Sequence, residues 1–508
     1  MKSCVKSFGF LALLAFACGS VGQASAQAFK TLHSFNARDG ANPFAGLVLS
    51  SNILYGTSLS GGPYYLDTGT VFALNTDGTG FRTVYQFPDW QWLSYTNSDG
   101  VHPRAGLTLS GDTLYGTAQA GGSAANGAVF AVKTDGTAFT NLHSFTASSG
   151  DLYTNADGAN PIAGLILSGD TLYGAAPFGG NSGNGTLFAM NTQGKPFAVL
   201  HAFTVCSTNS LGTYTNWDGA NPWGGLILSG NTLYGTAQAG GSSGSGTLFA
   251  IHTDGTGFTV LHAFTAESDG ANPVTGLALS GNTLYGTAAF GGNSGSGTIF
   301  SVRTDGTGFA TLHQFTTLSY PNPYPGCTNS DGANPQSEMI ISGTRMFGSA
   351  RLGGKSGHGA VFAINTDGTD FATVYDFTAP ALGIPHTNAD GYFPSGGLVL
   401  SGNVLYGTAR SGGSYSGNGD PDANGTIFSI SLPVRAPPLS VNASGGSLVL
   451  TWPTNFAGLD AGACILQSTT NLASPVWITN LPTPVVINGQ YKLSNPISGT
   501  RQFFRLSQ

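Results

Sequence analysis

A single tripeptide recurs along most of this chain and constrains its fold more than any other feature. Leu-Tyr-Gly is repeated at six places, and a further copy reads Met346-Phe347-Gly348. The period is about 58 residues, which suits one propeller blade with loop insertions. The tyrosines of the repeats are Tyr55, Tyr115, Tyr173, Tyr234, Tyr285 and Tyr406. The chain is therefore built from seven copies of one unit.

The fourth copy shows this unit complete and predicts four short strands. Each is rich in β-branched, aromatic or aliphatic residues and is bounded by Gly, Asn or Asp. The predicted strands are Leu226–Ser229, Thr232–Thr236, Thr247–Ile251 and Phe258–Phe264. Gly230-Asn231 and Asp254-Gly255 are typical of tight turns. Four antiparallel strands repeated radially predict an all-β, seven-bladed β-propeller over residues 27–432.

The ends of the repeat region favour a closed ring over an open solenoid. Phe29–Phe35 matches the fourth strand of a repeat, whereas the seventh repeat runs from Thr426–Ile430 into Pro433 without one. We therefore expect the N-terminal segment to complete the last blade, since closure removes exposed sheet edges.

The first 26 residues are predicted to be a signal peptide. Lys2 and Lys6 precede an apolar run, and Ala24-Ser25-Ala26 matches a signal peptidase site. The apolar run is too short to span a bilayer. We expect cleavage after Ala26 and a secreted or cell-surface protein.

A second domain is predicted after the repeats. Residues 433–438 form a proline-rich linker, and residues 439–508 contain short strand-like runs at the spacing of a small β-sandwich. Trp452 and Trp477 are interpreted as core residues, because a small sandwich needs large aromatic side chains to fill it.

Several ordered elements carry a resemblance to a known family. Asp-Gly-Ala-Asn-Pro, Leu-Tyr-Gly-Thr-Ala, Gly-Gly and Asn-Thr-Asp-Gly-Thr-Gly-Phe resemble the tandem repeat named GloVer, after Gloeobacter and Verrucomicrobia, from Phe29 to Leu432. The C-terminal module resembles a fibronectin type III domain. The resemblance implies export and often a C-terminal anchoring module, and it implies no reaction.

The composition excludes several classes of function. Charged residues are 8% of the chain and the net charge is −7, so a nucleic acid partner is not expected. No nucleophile elbow, zinc-binding histidine pair or phosphate-binding loop is present, so no cofactor and no metal are predicted. Cys206, Cys327 and Cys464 lack the spacing of a disulfide framework.

Two polar positions recur in the repeats, and we interpret both as structural. The first carries a histidine or tyrosine on the fourth strand, at His33, Tyr85, His143, His201, His262, His313 and Tyr375. The second is the aspartate that opens each blade, at Asp39, Asp99, Asp157, Asp218, Asp269, Asp331 and Asp390. A calcium site of these aspartates at the mouth of a central channel is the alternative.

The long loops are predicted to share one face and to carry the binding residues. The loops between repeats contain Trp90, Trp92, Tyr95, Tyr153, Tyr214, Trp217, Tyr320 and Tyr324. Two interpretations stay open: these aromatic side chains bind sugar rings or extended polymers, or they pack their own loops down.

The loops between the second and third strands are polar and charged in three repeats that become neighbours on ring closure. They contain Arg351, Lys355 and His358, then Arg410 and Tyr415, then Tyr64 and Tyr65. Our hypothesis is that Arg351 and Arg410 converge on an anionic or polyhydroxyl ligand, because a guanidinium offers a rigid fork. Drift in exposed loops is the alternative.

Together these features favour a non-enzymatic binding or interaction protein that recognises a glycan or another extracellular polymer. The alternatives are a secreted carbohydrate-active hydrolase or lyase and an architectural envelope protein. A pair of acidic residues facing the channel would favour a glycosidase.

Overall fold

A computed structural model describes most of the chain after the predicted signal peptide. The described residues are 28–62, 67–89, 94–150, 153–210, 212–319, 326–381, 386–414, 424–432, 439–444, 447–453, 455–456, 459–460, 465–469, 478–479, 483–496 and 503–507. Within them the regular elements are all strands. The described part contains no helix that is long and apolar enough to cross a membrane.

The first five repeats each form a four-stranded antiparallel sheet in chain order. The first sheet contains Val48–Ser50, Ile53–Ser58, Thr70–Asn75 and Arg82–Gln86. The second contains Thr108–Ser110, Thr113–Ala118, Ala128–Lys133 and Thr140–Ser144. The third contains Ile166–Ser168, Thr171–Ala176, Thr186–Asn191 and Phe197–Ala202. The fourth contains Ile227–Ser229, Thr232–Ala237, Thr247–His252 and Thr259–Ala263, and the fifth contains Ala278–Ser280, Thr283–Ala288, Thr298–Arg303 and Ala310–Gln314.

The sixth and seventh sheets each gain a strand from the segment that opens the repeat. The sixth contains Ala333–Pro335, Ile340–Ser342, Arg345–Leu352, Ala360–Asn365 and Ala372–Asp376. The seventh contains Asn388–Pro394, Val399–Ser401, Val404–Gly413 and Thr426–Ser431, together with the N-terminal strand Ala28–Ser34. These antiparallel sheets are consistent with propeller-like blades.

The N-terminal strand is antiparallel to Thr426–Ser431, from the pair Ala28 and Ser431 to the pair Ser34 and Thr426. It is thus the outer strand of the last sheet, the pairing that the sequence favoured. A side chain contact adds to it, since the ring of Phe29 stacks on Tyr375 of the sixth sheet with the ring centroids 4.2 Å apart.

The apolar core lies between successive sheets. Each of seven clusters in the described residues joins two neighbouring sheets. One of them joins the seventh sheet to the first, with Leu32 and Ile427 packed in the same cluster as Leu54 and Phe72.

The repeated tripeptide has a direct role in this core. Leu114 is fully buried and Tyr115 is nearly so, while Gly116 faces the ring of Phe130 on the adjacent strand. A β-carbon on Gly116 would lie 2.5 Å from Cζ of Phe130. Because only glycine leaves room for that ring, the third position of the tripeptide is invariant within the chain.

The described part of the C-terminal region is also made of strands. Ser440–Ser444, Ser447–Pro453, Gln490–Pro496 and Val485–Ile487 form one sheet in that order, Ile465–Thr469 pairs with Phe503–Ser507, and Asn455–Phe456 pairs with Leu459–Asp460. Trp452 is buried with Leu450, Leu466 and Leu493 and stacks on Tyr491, as expected for a core residue. Trp477 lies outside the described residues.

Candidate ligand-binding cavity

One cavity of about 460 Å³ is lined by residues from all seven repeats. Each repeat contributes the residue that follows the proline of its opening segment. These residues are Phe44, Arg104, Ile162, Trp223, Val274, Gln336 and Ser395. One structural position thus presents a different side chain from each repeat to a shared space.

The turn before the proline directs this position into the cavity. The residue before the proline has a positive φ in every repeat, from 53° at Asn42 to 59° at His102. Asparagine tolerates this conformation better than most residues, which explains its place in Ala-Asn-Pro. In the fourth repeat the backbone N–H of Asn221 donates to the carbonyl oxygen of Asn184 at 2.8 Å, fixing the turn to the preceding sheet.

Three arginines meet in the cavity. Arg351 and Arg410 occupy equivalent places in the sixth and seventh repeats, each directly after an alanine of the repeated motif. Arg104 follows Pro103 in the second repeat. The guanidinium carbon of Arg104 lies 4.2 Å from the ring centroid of Phe44 and 5.2 Å from that of Trp223. Arg410 approaches the same phenylalanine at 5.1 Å. Aromatic faces stabilise the cations partly, but they carry no compensating charge.

Burial and the neighbouring charges shift the pKa values of two of these arginines. Burial, followed by the charges of Arg410 and Arg351, lowers the pKa of Arg104 to about 10. Burial and the charge of Arg410 also lower the pKa of Arg351. Among the described residues, none of the three forms a salt bridge. The Nε atoms of Arg351 and Arg410 and Nε1 of Trp223 are buried without a hydrogen-bond partner in the described structure.

The cavity also contains one carboxyl group, at its boundary with a second cavity. Glu338 stands three residues after its proline, where the other repeats have Gly46, Gly106, Gly164, Gly225, Gly276 and Gly397. It lines both this cavity and a second one of about 390 Å³. Its side chain is accessible from these cavities, although the surrounding repeats keep the carboxyl group from bulk solvent. This enclosure raises the pKa of Glu338 to about 7.

The structure separates the predicted charged cluster. Arg351 and Arg410 line the cavity together, whereas Lys355 and His358 do not. Lys355 is exposed and its Nζ lies 3.3 Å from the Oδ2 atom of Asp376. His358 is buried, with Nδ1 at 2.6 Å from the carbonyl oxygen of Ser356, and burial lowers its pKa. Tyr64, Tyr65 and Tyr415 lie outside the described residues.

The loop aromatics that the structure describes are exposed and stand apart from the cavity. More than half of the surface of Tyr95, Tyr153, Tyr214 and Trp217 is accessible, which disfavours a purely packing role for them. Tyr214 lines a separate surface cavity, and Trp217 meets the ring of Phe258 edge-on at 5.5 Å. Trp90, Trp92, Tyr320 and Tyr324 lie outside the described residues.

An asparagine that the sequence analysis did not single out ties the two kinds of long loop together. Oδ1 of Asn155 accepts from the backbone N–H groups of Gly158 and Gly180, at 2.9 and 2.8 Å. The first glycine belongs to the loop between repeats and the second to the loop between the second and third strands. Asn97, Asn216, Asn329 and Asn388 repeat the arrangement. The recurring tetrapeptide Asn-Xaa-Asp-Gly is the sequence signal by which these asparagines could have been found.

The two recurring polar positions are partners of each other. Nε2 of His201 lies 3.0 Å from Oδ2 of Asp218, whose carboxylate also accepts from the N–H and hydroxyl groups of Thr204. The same pairing occurs in all seven repeats, with tyrosine in place of histidine at Tyr85 and Tyr375. These contacts agree with the structural interpretation of both positions and disfavour the alternative of a calcium site, because the carboxylates bind the fourth strand and none lines the cavity. The described residues contain no group of three or more potential metal ligands.

The cysteines of the described repeats are not paired. Cys206 and Cys327 are both free and partly buried. Burial raises the pKa of the Cys206 thiol. Cys464 lies outside the described residues.

Three solved structures are distantly similar to this chain. An oligogalacturonate lyase from Vibrio parahaemolyticus has 10% identity and a TM-score of 0.44, over 80% of this chain and 97% of that one. A puromycin-hydrolyzing peptidase from Mycobacterium tuberculosis has 9% identity and a TM-score of 0.46, over 82% of this chain but only 58% of that one. A nidogen/laminin complex has 13% identity and a TM-score of 0.35, over 60% of this chain and 90% of the matched chain. None of the curated proteins compared with the chain matches it.

The family comparison agrees with the repeat pattern. The family model of the Gloeobacter/Verrucomicrobia repeat matches residues 18–216 and 205–332, which is more than half of the chain. The last two repeats, which supply Arg351 and Arg410, lie mainly or wholly beyond the matched residues. The chain belongs to the Gloeobacter/Verrucomicrobia repeat family.

Proposed function

We propose that this protein is an exported, non-enzymatic binding protein that recognises an acidic glycan or another anionic extracellular polymer at the arginine-lined cavity. The observation that carries the proposal is the meeting of Arg104, Arg351 and Arg410 in one cavity without an acidic partner for any of them. Three like charges held together cost free energy unless a ligand neutralises them.

The unpaired donors indicate what the ligand must supply. Buried polar groups in proteins nearly always have a hydrogen-bond partner, and leaving one unpaired costs about 1–3 kcal/mol. Here two arginine Nε atoms and the Trp223 indole N–H lack one. Carboxylate, sulfate or phosphate oxygens would satisfy all three, and a guanidinium binds such groups with two parallel hydrogen bonds.

The aromatic side chains of the cavity favour a saccharide as the bearer of the negative charge. Phe44 and Trp223 flank Arg104 and offer apolar faces beside the cationic groups. Sugar rings have apolar C–H faces and polar edges, a pattern that such a wall complements. The low charge content of the chain argues against nucleic acid, whose binding needs many phosphate contacts.

The architecture we propose for this site is a closed ring of seven blades. Its support is the pairing of Ala28–Ser34 with Thr426–Ser431 and the apolar cluster between the seventh and first sheets. The backbones of Gly46 and Gly397 also approach closely, since a β-carbon on Gly46 would lie 2.9 Å from the carbonyl oxygen of Gly397. An experimental structure with the N-terminal strand paired elsewhere would contradict this closure.

The domain boundaries and the location of the protein complete the proposal. Residues 1–26 direct export, residues 27–432 form the binding domain, and residues 433–438 link it to a fibronectin-III-like module at 439–508. That module would hold the binding domain at the cell surface.

A secreted lyase is the second candidate, and Glu338 is the observation that favours it. A carboxyl group with its pKa near 7 in the cavity has the acid–base character of a catalytic group. A glycosidase is disfavoured, because it needs two carboxyl groups and Glu338 is the sole acidic residue of the described lining.

Titration calorimetry of residues 27–508 with polygalacturonate, alginate, hyaluronan and neutral dextran tests the proposal. We expect binding to at least one acidic polymer and none to dextran. Arg351→Gln with Arg410→Gln should weaken that binding about 100-fold, since each lost charged hydrogen bond costs about 1.5 kcal/mol.

Lys355→Gln is the matched control, because it removes a positive charge from an exposed loop of the sixth repeat outside the cavity. It should leave the affinity unchanged. Equal affinity of the double variant and the wild type for every polymer would refute the proposal. Shortening of the polymer during the titration would favour the lyase.

A further inference from the structure

One repeat differs from the other six at a position that lines the cavity, and the positive charge of the cavity does not explain the difference. Three residues after the proline, six repeats have glycine and the sixth has Glu338. Without Glu338, the residues at this position would contribute only backbone to the lining of the cavity. Its side chain is the single one that the sequence adds there.

Glu338 lies at the level where two cavities meet. A β-carbon on Gly276 of the fifth repeat would lie 3.1 Å from Oε2 of Glu338, and one on Gly397 of the seventh would lie 3.5 Å from its Cβ. The side chain thus occupies the space beside both neighbouring repeats. Glycines of five other repeats also line both cavities, so Glu338 supplies the side chain at the junction between the arginine-lined cavity and the second cavity.

The walls of the arginine-lined cavity limit how a polymer can enter. All seven repeats contribute to them, and Glu338 lies at the junction with the second cavity. A chain that lay across the mouth would leave the inner part empty, and one that passed through would have to pass the Glu338 side chain at the junction. A volume of about 460 Å³ is in the range of pockets that enclose a small ligand. The end of a chain fits these constraints.

The hydrogen-bonding capacity of Glu338 also favours the end of a chain. No hydrogen bond to Glu338 is found among the described residues, and a carboxylate is an acceptor of two to four donors. The terminal unit of a saccharide has a free hydroxyl at the position that is a glycosidic oxygen in internal units. It therefore offers a donor that internal units lack.

We propose that the cavity binds the terminal unit of an acidic saccharide chain end-on, with hydroxyl groups of that unit donating to Glu338 and its acidic group bound by Arg104, Arg351 and Arg410. This inference rests on the proposed function and deepens it, because it specifies which part of the polymer is recognised. The number of protein molecules bound per chain follows directly: it is independent of chain length.

The test is a calorimetric titration with short and long oligogalacturonates, or with oligomers of whichever acidic polymer the wild type binds. We expect one protein per chain at both lengths. Glu338→Gln keeps the size of the side chain, and Glu338→Gly installs the residue of the other repeats. Both should weaken binding about tenfold and leave the thermal unfolding midpoint near that of the wild type.

The outcomes separate this inference from the one on which it rests. A number of bound proteins that rises with chain length, or full affinity in both Glu338 variants, overturns end-on binding while the arginine dependence stands. If either variant fails to fold, the length series on the wild type decides alone. Absence of binding, or binding that survives Arg351→Gln with Arg410→Gln, contradicts the proposed function and this inference with it.

Discussion

Two positions of the repeat behave in opposite ways. In every repeat, a histidine or tyrosine on the fourth strand forms a hydrogen bond with the aspartate of the opening segment. At the position after the proline, the seven side chains range from phenylalanine and arginine to serine. A residue that each repeat needs for its own folding is uniform, whereas residues that meet around one ligand need not resemble one another. The second pattern marks the site.

The largest effect should come from breaking one of the uniform pairs. Asp218→Ala leaves partly buried donors of His201 and Thr204 without an acceptor, so the free energy of unfolding should fall by about 3 kcal/mol. Chemical denaturation measures this loss. Binding of the acidic polymer, measured where the variant is folded, should not change.

Asp254→Ala is the control for that variant. It removes the carboxylate of an exposed turn in the same repeat, which accepts only from Thr256, so its effect on stability should be much smaller. Equal losses in the two variants would contradict a scaffolding role for the pair.

A substitution at the position after the proline should lower binding and leave stability intact. Arg104→Gln is expected to weaken binding of the acidic polymer about tenfold. The thermal unfolding midpoint should stay the same or rise, because the substitution removes one of three mutually repelling charges. Arg303→Gln, on the exposed end of a third strand, is the control. A lower midpoint with unchanged binding would assign Arg104 to the scaffold.

The smallest effect is expected from exchanging one member of the uniform pair for its natural alternative. His262→Tyr should change the free energy of unfolding by less than about 1 kcal/mol, since Tyr375 makes the same contact with Asp390 at 3.0 Å. Burial, opposed by Asp269, lowers the pKa of His262.

The sign of the pH effect follows from that shift. The folded state holds His262 neutral more strongly than the unfolded state does. Its contribution is therefore complete above the unfolded pKa and is lost as the pH falls through the folded one. The variant should lose this slope in denaturation curves measured between neutral and mildly acidic pH, and a slope equal to that of the wild type would contradict the assignment.

The sequence predicted the scaffold better than the site, for a physical reason. Each strand is encoded within its own repeat by alternation and turn residues, so the strands of the fourth repeat, such as Thr232–Ala237, lie within a residue or two of their predicted places. Arg351 and Arg410 were accessible to sequence reasoning because they interrupt bland loops. Arg104, Trp223 and Phe44 were missed, since their proximity arises only when distant repeats meet. Aligning the repeats on their prolines was the signal that would have found them.

The outer strand of the last sheet has a consequence for how the chain acquires its structure. The hydroxyl of Ser34 accepts from the backbone N–H of Ser414, 380 residues later in the sequence. Contacts of such separation give a high contact order, and topologies of this kind fold slowly. Closing so long a loop adds entropy cost only logarithmically, so the delay concerns the rate of folding more than the final stability. The last sheet is completed only when both ends of the repeat region are available, and until then Thr426–Ser431 has an unpaired edge.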